Sequence, residues 1–211
     1  MARQAEGSGG AAPVGEMPEW QLARRRRIVE AAAAALDEQD YEQIQMRDVA
    51  QSAAVALGTL YRYFSSKEHL YAEVLEHWAT EGEPLGERYA ELDVVERIRA
   101  RVRRVVRAFE RQPRYYKLQS LLLNSSDGNV RELLDRFTRS ATAWLVDDLA
   151  VLGPTEAADV ADMCWSIIST MLTGAVYRGR PMADVYRVCD GFVDLLVPRL
   201  RAAQEAGAAG P

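Results

Sequence analysis

From about residue 20 to about residue 200, apolar side chains recur three and four residues apart. No stretch alternates long enough for a strand; Tyr61, Tyr63 and Phe64 alternate only briefly between helical flanks. This spacing predicts an all-α chain. Ile28, Ala32, Ala35 and Leu36 share one face of a helix over residues 20–39. Met46, Val49, Ala50 and Ala53 fit barely two turns, and Leu57, Leu60 and Tyr61 fit two more. Helices this short are marginal in water, so the pair needs the long helix behind it. Two short helices joined at Ala53-Ala54-Val55 and backed by a third predict a helix-turn-helix unit.

Six further helices are expected. Ser65-Ser66-Lys67-Glu68 reads as a capping box, with Ser65 the cap and Glu68 reaching back, opening a helix that runs towards Gly82 or Pro84. Asp93 to Glu96 starts a helix that ends at Pro113, and a shorter one carries Tyr115 to Leu122. Ser125 to Asn129 is a turn cluster. An amphipathic stripe from Leu133 to Leu149 follows and ends at Gly153-Pro154. The last two helices span 156–179 and 182–200. The domain reading is a disordered tail at 1–19 and a DNA-binding unit at 20–66. A six-helix domain at 67–202 and a flexible tail at 203–211 complete it.

The second short helix exposes a particular chemistry. Gly58 removes a side chain at a cost of about 1 kcal/mol of helix propensity, which allows a close approach. Thr59, Tyr61 and Tyr63 carry hydroxyls suited to phosphate oxygens, and Arg62 and Lys67 bring charge to the same surface.

Arg27 to Ala32, Met46 to Ala50 and Val55 to Leu70 resemble the DNA-binding domain of the tetracycline-repressor (TetR) family. Gly58-Thr59-Leu60-Tyr61-Arg62-Tyr63-Phe64 followed by Lys67 is the most characteristic string. The resemblance covers roughly residues 22–72 and implies a homodimeric, ligand-responsive repressor of a palindromic double-stranded DNA operator. It implies that Thr59, Tyr63 and Lys67 hold phosphates, and that Ala56, Leu57 and Gly58 face base edges. Tyr61 would touch backbone or a thymine methyl, and Gln45, Met46 and Arg47 would form another phosphate contact. Gln-Met-Arg before Val-Ala, and Val-Ala-Leu-Gly-Thr, are similar to the family's repressors of sterol-catabolism genes, which implies a large lipophilic ligand.

Three positions depart from the family pattern. Gln45 replaces the usual threonine and is a poor N-cap. Ala54 replaces a turn glycine, so either the backbone is strained or the turn differs. Ala56 replaces a serine and loses a donor. Of the four arginines Arg24 to Arg27, at most one or two can face DNA, because adjacent helical residues point about 100° apart.

The helix at 156–179 is too apolar for one neighbour to cover, and Gly174 and Ala175 would allow close approach. Residues of about 156–200 are therefore expected to form a homodimer face. For the ligand, apolar candidates are Trp78, Phe109, Tyr115, Leu122, Phe137, Trp144, Trp165 and Met171, with Gln119 and Ser169 as polar anchors. Each also reads as plain core. Residues 94–117 carry nine basic and two acidic side chains. They are either a solvated helix face or a clamp for an acidic ligand such as a carboxylate or a coenzyme A thioester.

Composition excludes other classes. Lys+Arg 26 against Asp+Glu 31 leaves −5, so DNA contact must be local. The first twenty residues lack a secretory pattern, and no apolar run approaches a membrane span, so a cytoplasmic place with no membrane partner is expected. Cys164 and Cys189 fit a reducing compartment. No hydrolase elbow, phosphate-binding loop or zinc motif is present. His69, Glu73 and His77 share a helix face, but over about 12 Å they are too far apart for one ion. No cofactor, no metal and no catalytic residue are expected. The alternative reading is a small-molecule enzyme or carrier with an all-helical pocket.

Overall fold

A computed structural model describes residues 17–81, 89 and 91–208. Nine α-helices lie among the described residues: α1 (Glu19–Glu38), α2 (Met46–Ser52), α3 (Leu57–Tyr63), α4 (Lys67–Glu81), α5 (Val94–Arg111), α6 (Pro113–Leu122), α7 (Gly128–Asp148), α8 (Pro154–Arg178) and α9 (Met182–Ala208). No strand occurs among them. Residues 1–16 of the expected tail, and the stop signals at Gly82 and Pro84, lie outside the described residues.

The first three helices enclose Ile28, Ala32, Leu36, Val49, Ala50, Leu60 and Phe64. Helices of barely two turns cannot hold themselves, and this shared core is what fixes α2 and α3. Helix α4 belongs to both halves of the molecule. It packs on α1 at one end and on α6 and α7 along its length, burying Leu70, Tyr71, Val74 and Leu75. The Tyr71 hydroxyl donates to the Ala32 carbonyl at 3.2 Å and ties α4 to α1. Helices α7, α8 and α9 pack in sequence, and α5 lies against α9.

Local signals explain most boundaries. Asp93 caps α5, its carboxylate accepting from Val95 N and Glu96 N at 2.9 Å each. Asp127 caps α7 through Asn129 N. Gly179, at φ 68, closes α8 in the left-handed conformation. Of all described helices only α8 is long and apolar enough to cross a membrane, and its buried stripe packs against α7 and α9.

Three expectations need correction. The cap of α4 is Ser66, whose hydroxyl accepts from His69 N at 3.0 Å. The residue reaching back is His69, whose Nδ1 accepts from Ser65 N at 3.2 Å. Glu68 turns away and accepts from the Ser125 hydroxyl. Second, the region expected as a flexible tail from 203 is helical to Ala208, because an alanine-rich segment continues α9 at little entropic cost. Third, a Cβ on Gly174 would stand 2.7 Å from Arg180 Nε, so this glycine makes room for its own chain rather than for a partner. Of the two alternatives at Ala54, the backbone takes the left-handed one, at φ 53. The turn keeps the left-handed geometry a glycine would favour, at a cost of about 1–2 kcal/mol.

Candidate nucleic-acid interface and ligand cavity

Helix α3 shows one face to the core and one to solvent. Leu60, Tyr63 and Phe64 point inward. Ala56, Leu57, Gly58, Tyr61 and Arg62 are exposed, and Thr59 is half-buried. Leu57 and Tyr61 are 39% and 46% exposed, high for large apolar side chains. A Cβ placed on Gly58 would meet no atom within 4 Å. The fold therefore has no use for the missing side chain, although its absence weakens a seven-residue helix. Space kept clear on the outside of a short helix suits an external partner that approaches the backbone.

Helix α2 adds Gln45 and Arg47, both exposed, the Arg47 side chain at 84%. Gln45 occupies the N-cap position without a side-chain cap. Met46 is buried beneath them and cannot offer its side chain to a surface. Tyr63 has a buried ring. Lys67 is half-buried. Its Nζ donates to the carbonyls of Tyr41 at 2.5 Å and Ile44 at 2.7 Å. It also stands 4.1 Å from the centre of the Tyr41 ring. Desolvation draws its ammonium below the usual lysine value, with Glu42 opposing, and burial pushes the Tyr41 phenol up to about 12.

The four arginines of α1 part company. Arg25 turns inward, pairs with Glu73 and lies 4.9 Å over the Phe64 ring. Arg24 covers Trp20 at 5.1 Å. Arg26 and Arg27, which follow, are both exposed.

A cavity of about 620 Å³ opens between α4, α5, α7 and α8. Its walls are largely aromatic: Trp78, Phe109, Phe137, Trp144 and Trp165. Trp78 stacks on Tyr115 at 4.8 Å, and its Nε1 donates to Gln112 Oε1. Phe137 meets Trp165 edge-on at 5.9 Å. The volume falls within the range of small-molecule sites, about 300–1,000 Å³. Five of the ten ligand candidates line it. Tyr115 stands behind Trp78, while Gln119, Leu122 and Met171 are buried in helix packing. The Ser169 carbonyl accepts from the Tyr116 hydroxyl. Gln119 keeps a buried Oε1 with no partner among the described residues, and its side chain does not line the cavity.

The arginines of α5 form no uniform solvated face. Arg97 and Arg101 bind Asp148 at 2.7 and 2.6 Å. Arg99 and Arg103 bind Asp190 on α9, and Arg99 also reaches Asp194. These pairs hold Asp190 below the usual carboxylate range. Arg104 and Arg111 instead line the cavity. Sequence spacing puts both on one flank with Arg97 and Arg101, but it cannot show which arginines acidic partners take. Elsewhere, burial pushes the Cys164 thiol up to about 12 and Cys189 up to about 11, which leaves both unreactive. No group of three or more His, Cys, Asp or Glu able to hold a metal occurs among the described residues.

The profile for "Bacterial regulatory proteins, tetR family" matches residues 28–74. The repressor KstR of Rhodococcus jostii is 32% identical over 187 residues, 84% of each chain. The chain belongs to the TetR family. KstR of Mycobacterium tuberculosis is 30% identical over 87% of this chain and 72% of its own length. A TetR regulator from Rhodococcus sp. RHA1 has a similar structure, with TM-score 0.71, 24% identity, and 84% and 97% of the two chains covered. FadR from Bacillus subtilis, solved with stearoyl-CoA, gives TM-score 0.62 at 20% identity, covering 82% and 97%. Both likenesses are of fold. They carry the family architecture across α4 to α9, beyond the segment that the profile matches.

Proposed function

We propose that this chain is a transcriptional repressor that binds a palindromic operator as a homodimer and is released by a lipophilic, acidic small molecule. The clear space at Gly58 carries the DNA reading, since the fold bears the cost of a glycine that only an outside partner uses. Residues 20–66 are the reading unit, and 67–202 regulate it. Gln45, Arg47, Thr59, Tyr61, Arg62 and the Tyr63 hydroxyl meet backbone, with Ala56, Leu57 and Gly58 against base edges. The relatives named KstR are repressors by name, which supports repression.

Helices α8 and α9 pair two copies about a two-fold axis. Met163, Tyr177 and Leu195 are 57%, 52% and 79% exposed there, an apolar surface that a second copy would cover. The effector lies in the aromatic cavity with its anionic group on Arg104 and Arg111. The stearoyl-CoA named with FadR is a ligand of that chemistry. Ligand shifts the dimer only by its differential affinity for the operator-bound and free arrangements. The protein acts where the DNA is, in the cytoplasm, and needs no cofactor.

The test is anisotropy of a dye-labelled duplex from upstream of its own gene, across a salt series. Saturable, steeply salt-dependent binding that Thr59→Ala weakens is the expected result. Absence of specific binding there and across fragments of the whole genome would overturn the reading.

A further inference from the structure

Arg111 and Gln112 belong to two walls at once. They line the aromatic cavity, and they also line a second hollow of about 630 Å³ between the end of α1 and the start of α6. Gln112 is the one residue that joins α5 to α6. Its Oε1 accepts from Trp78 Nε1 in the cavity wall. Arg111 is exposed and pairs with no acid among the described residues. Beyond it the second hollow presents Arg114 and Lys117, facing Asp37 and Asp40.

Those two cations fasten the end of α1. The last turn of α1 has no basic residue of its own, and Asp37 and Glu38 stand at its negative end. Arg114 supplies the missing charge from α6. Its Nη1 donates to the Asp37 carbonyl at 2.5 Å, and its Nε donates to Asp40 Oδ1 at 3.3 Å. Lys117 Nζ stands 3.6 Å from Asp40 Oδ2. The side chains of Arg114, Lys117 and Asp40 are 39%, 45% and 46% exposed, so these pairs are weak and open to competition. Directly after Asp40 a short 3-10 turn (Tyr41–Gln43) leads into α2.

We propose that the second hollow is an anion subsite of the effector cavity. Arg111, Arg114 and Lys117 take a phosphate-bearing tail of an effector whose apolar body fills the aromatic cavity, and the tail draws Arg114 and Lys117 off the end of α1. A phosphate monoester carries about −1.5 to −2 charge, against the single charge of Asp40, and offers three acceptor oxygens. A guanidinium grips it by the same paired donors that it gives a carboxylate. The effector thus competes for the cations that hold α1, and operator affinity falls by that coupling. The inference rests on the reading of the aromatic cavity as the effector site, and it narrows the effector to an amphiphile with phosphate on a tether.

The experiment compares lauroyl-CoA with laurate, by calorimetry, on the full-length protein. The two probes share an acyl chain, and only the first carries phosphate. A duplex selected by the wild type from a random-sequence pool gives the second readout. Wild type is expected to bind lauroyl-CoA more tightly than laurate. Arg114→Gln with Lys117→Gln should weaken lauroyl-CoA about tenfold and leave laurate unchanged. Asp40→Ala removes the competitor, so it should bind lauroyl-CoA about threefold more tightly and the duplex about threefold more weakly. A merely structural role cannot move lauroyl-CoA in opposite directions in the two variants. Equal losses for both probes overturn the subsite, as does a shift of the same sign in both variants or a wild type that does not prefer lauroyl-CoA. If the wild type binds neither probe, the acidic-effector reading falls and takes the subsite with it. If it selects no duplex, the DNA-binding reading falls, and the ligand titrations still decide the subsite.

Discussion

Two places in this molecule leave room for something else, and they do so by different means. At Gly58 the room is made by one residue on the outside of α3, and the chain's own packing ignores it. At the cavity it is made by four helices whose aromatic side chains fail to close on one another. The first opening is a local choice, with a local cost in helix propensity. The second is collective, and no single residue creates it. An interface of the first kind can be read along the chain, whereas one of the second kind appears only when helices are set side by side.

Filling the outer opening should have the largest effect. Gly58→Leu is expected to lower operator affinity by about a hundredfold or more, roughly 2.7 kcal/mol, while the melting temperature holds or rises. A matched loss of stability would mean that the glycine serves the fold, and the contrast would collapse. Next comes the sorting of the α5 arginines. Asp148→Ala leaves Arg97 and Arg101 without their shared carboxylate, and a loss of about 2–3 kcal/mol is expected in denaturant unfolding. The same titration on Arg104→Ala should show almost no change. That variant should instead bind a long-chain acyl-CoA about tenfold more weakly by calorimetry, with operator affinity intact. Equal stability losses from both variants would erase the distinction between structural and cavity arginines.

Smaller effects sharpen the picture at the turn. Ala54→Gly should raise stability by about 1 kcal/mol, because it relieves the left-handed alanine at φ 53. The smallest effect is a pH term. Burial holds His69 below its ordinary 6.5, with Arg25 acting the same way and Asp127 and Glu73 opposing. The unfolded chain therefore takes up a proton that the folded chain refuses, and stability falls as pH drops through about 6.5. A loss of stability is expected between pH 7 and pH 6, and His69→Asn should flatten it in thermal melts.

The helix-turn-helix unit is legible because its signals are short-range. Spacing over a few residues gives Leu60 and Phe64 their inward direction, and one string gives the family. The cap of α4 is off by one residue because Ser65 and Ser66 are adjacent and chemically equal; only the packed position of His69 decides between them. The carbonyl contacts of Lys67 are hidden from the sequence for a related reason. Its partners are backbone carbonyls more than twenty residues away, and no side-chain pattern announces them. For the cavity, an apolar stripe says that Phe137 and Met171 face inward, but not whether inward means packing or empty space. Met171 meets neighbours, and Phe137 meets the cavity. The alanine-rich end of α9 looks structureless in sequence because it lacks large apolar residues, yet alanine itself favours the helix.

The chain has four tryptophans, and three of them, Trp78, Trp144 and Trp165, stand in the cavity wall while Trp20 is 58% exposed on α1. The protein therefore carries its own optical gauge. A guest in the cavity displaces the surroundings of three indoles at once and should shift their emission, whereas Trp20, over which Arg24 lies, is not among the residues that line it. Red-edge excitation and iodide quenching can separate the sheltered indoles from the exposed one. Unlabelled protein can thus be screened against compound libraries with neither operator nor dye, whatever the effector turns out to be.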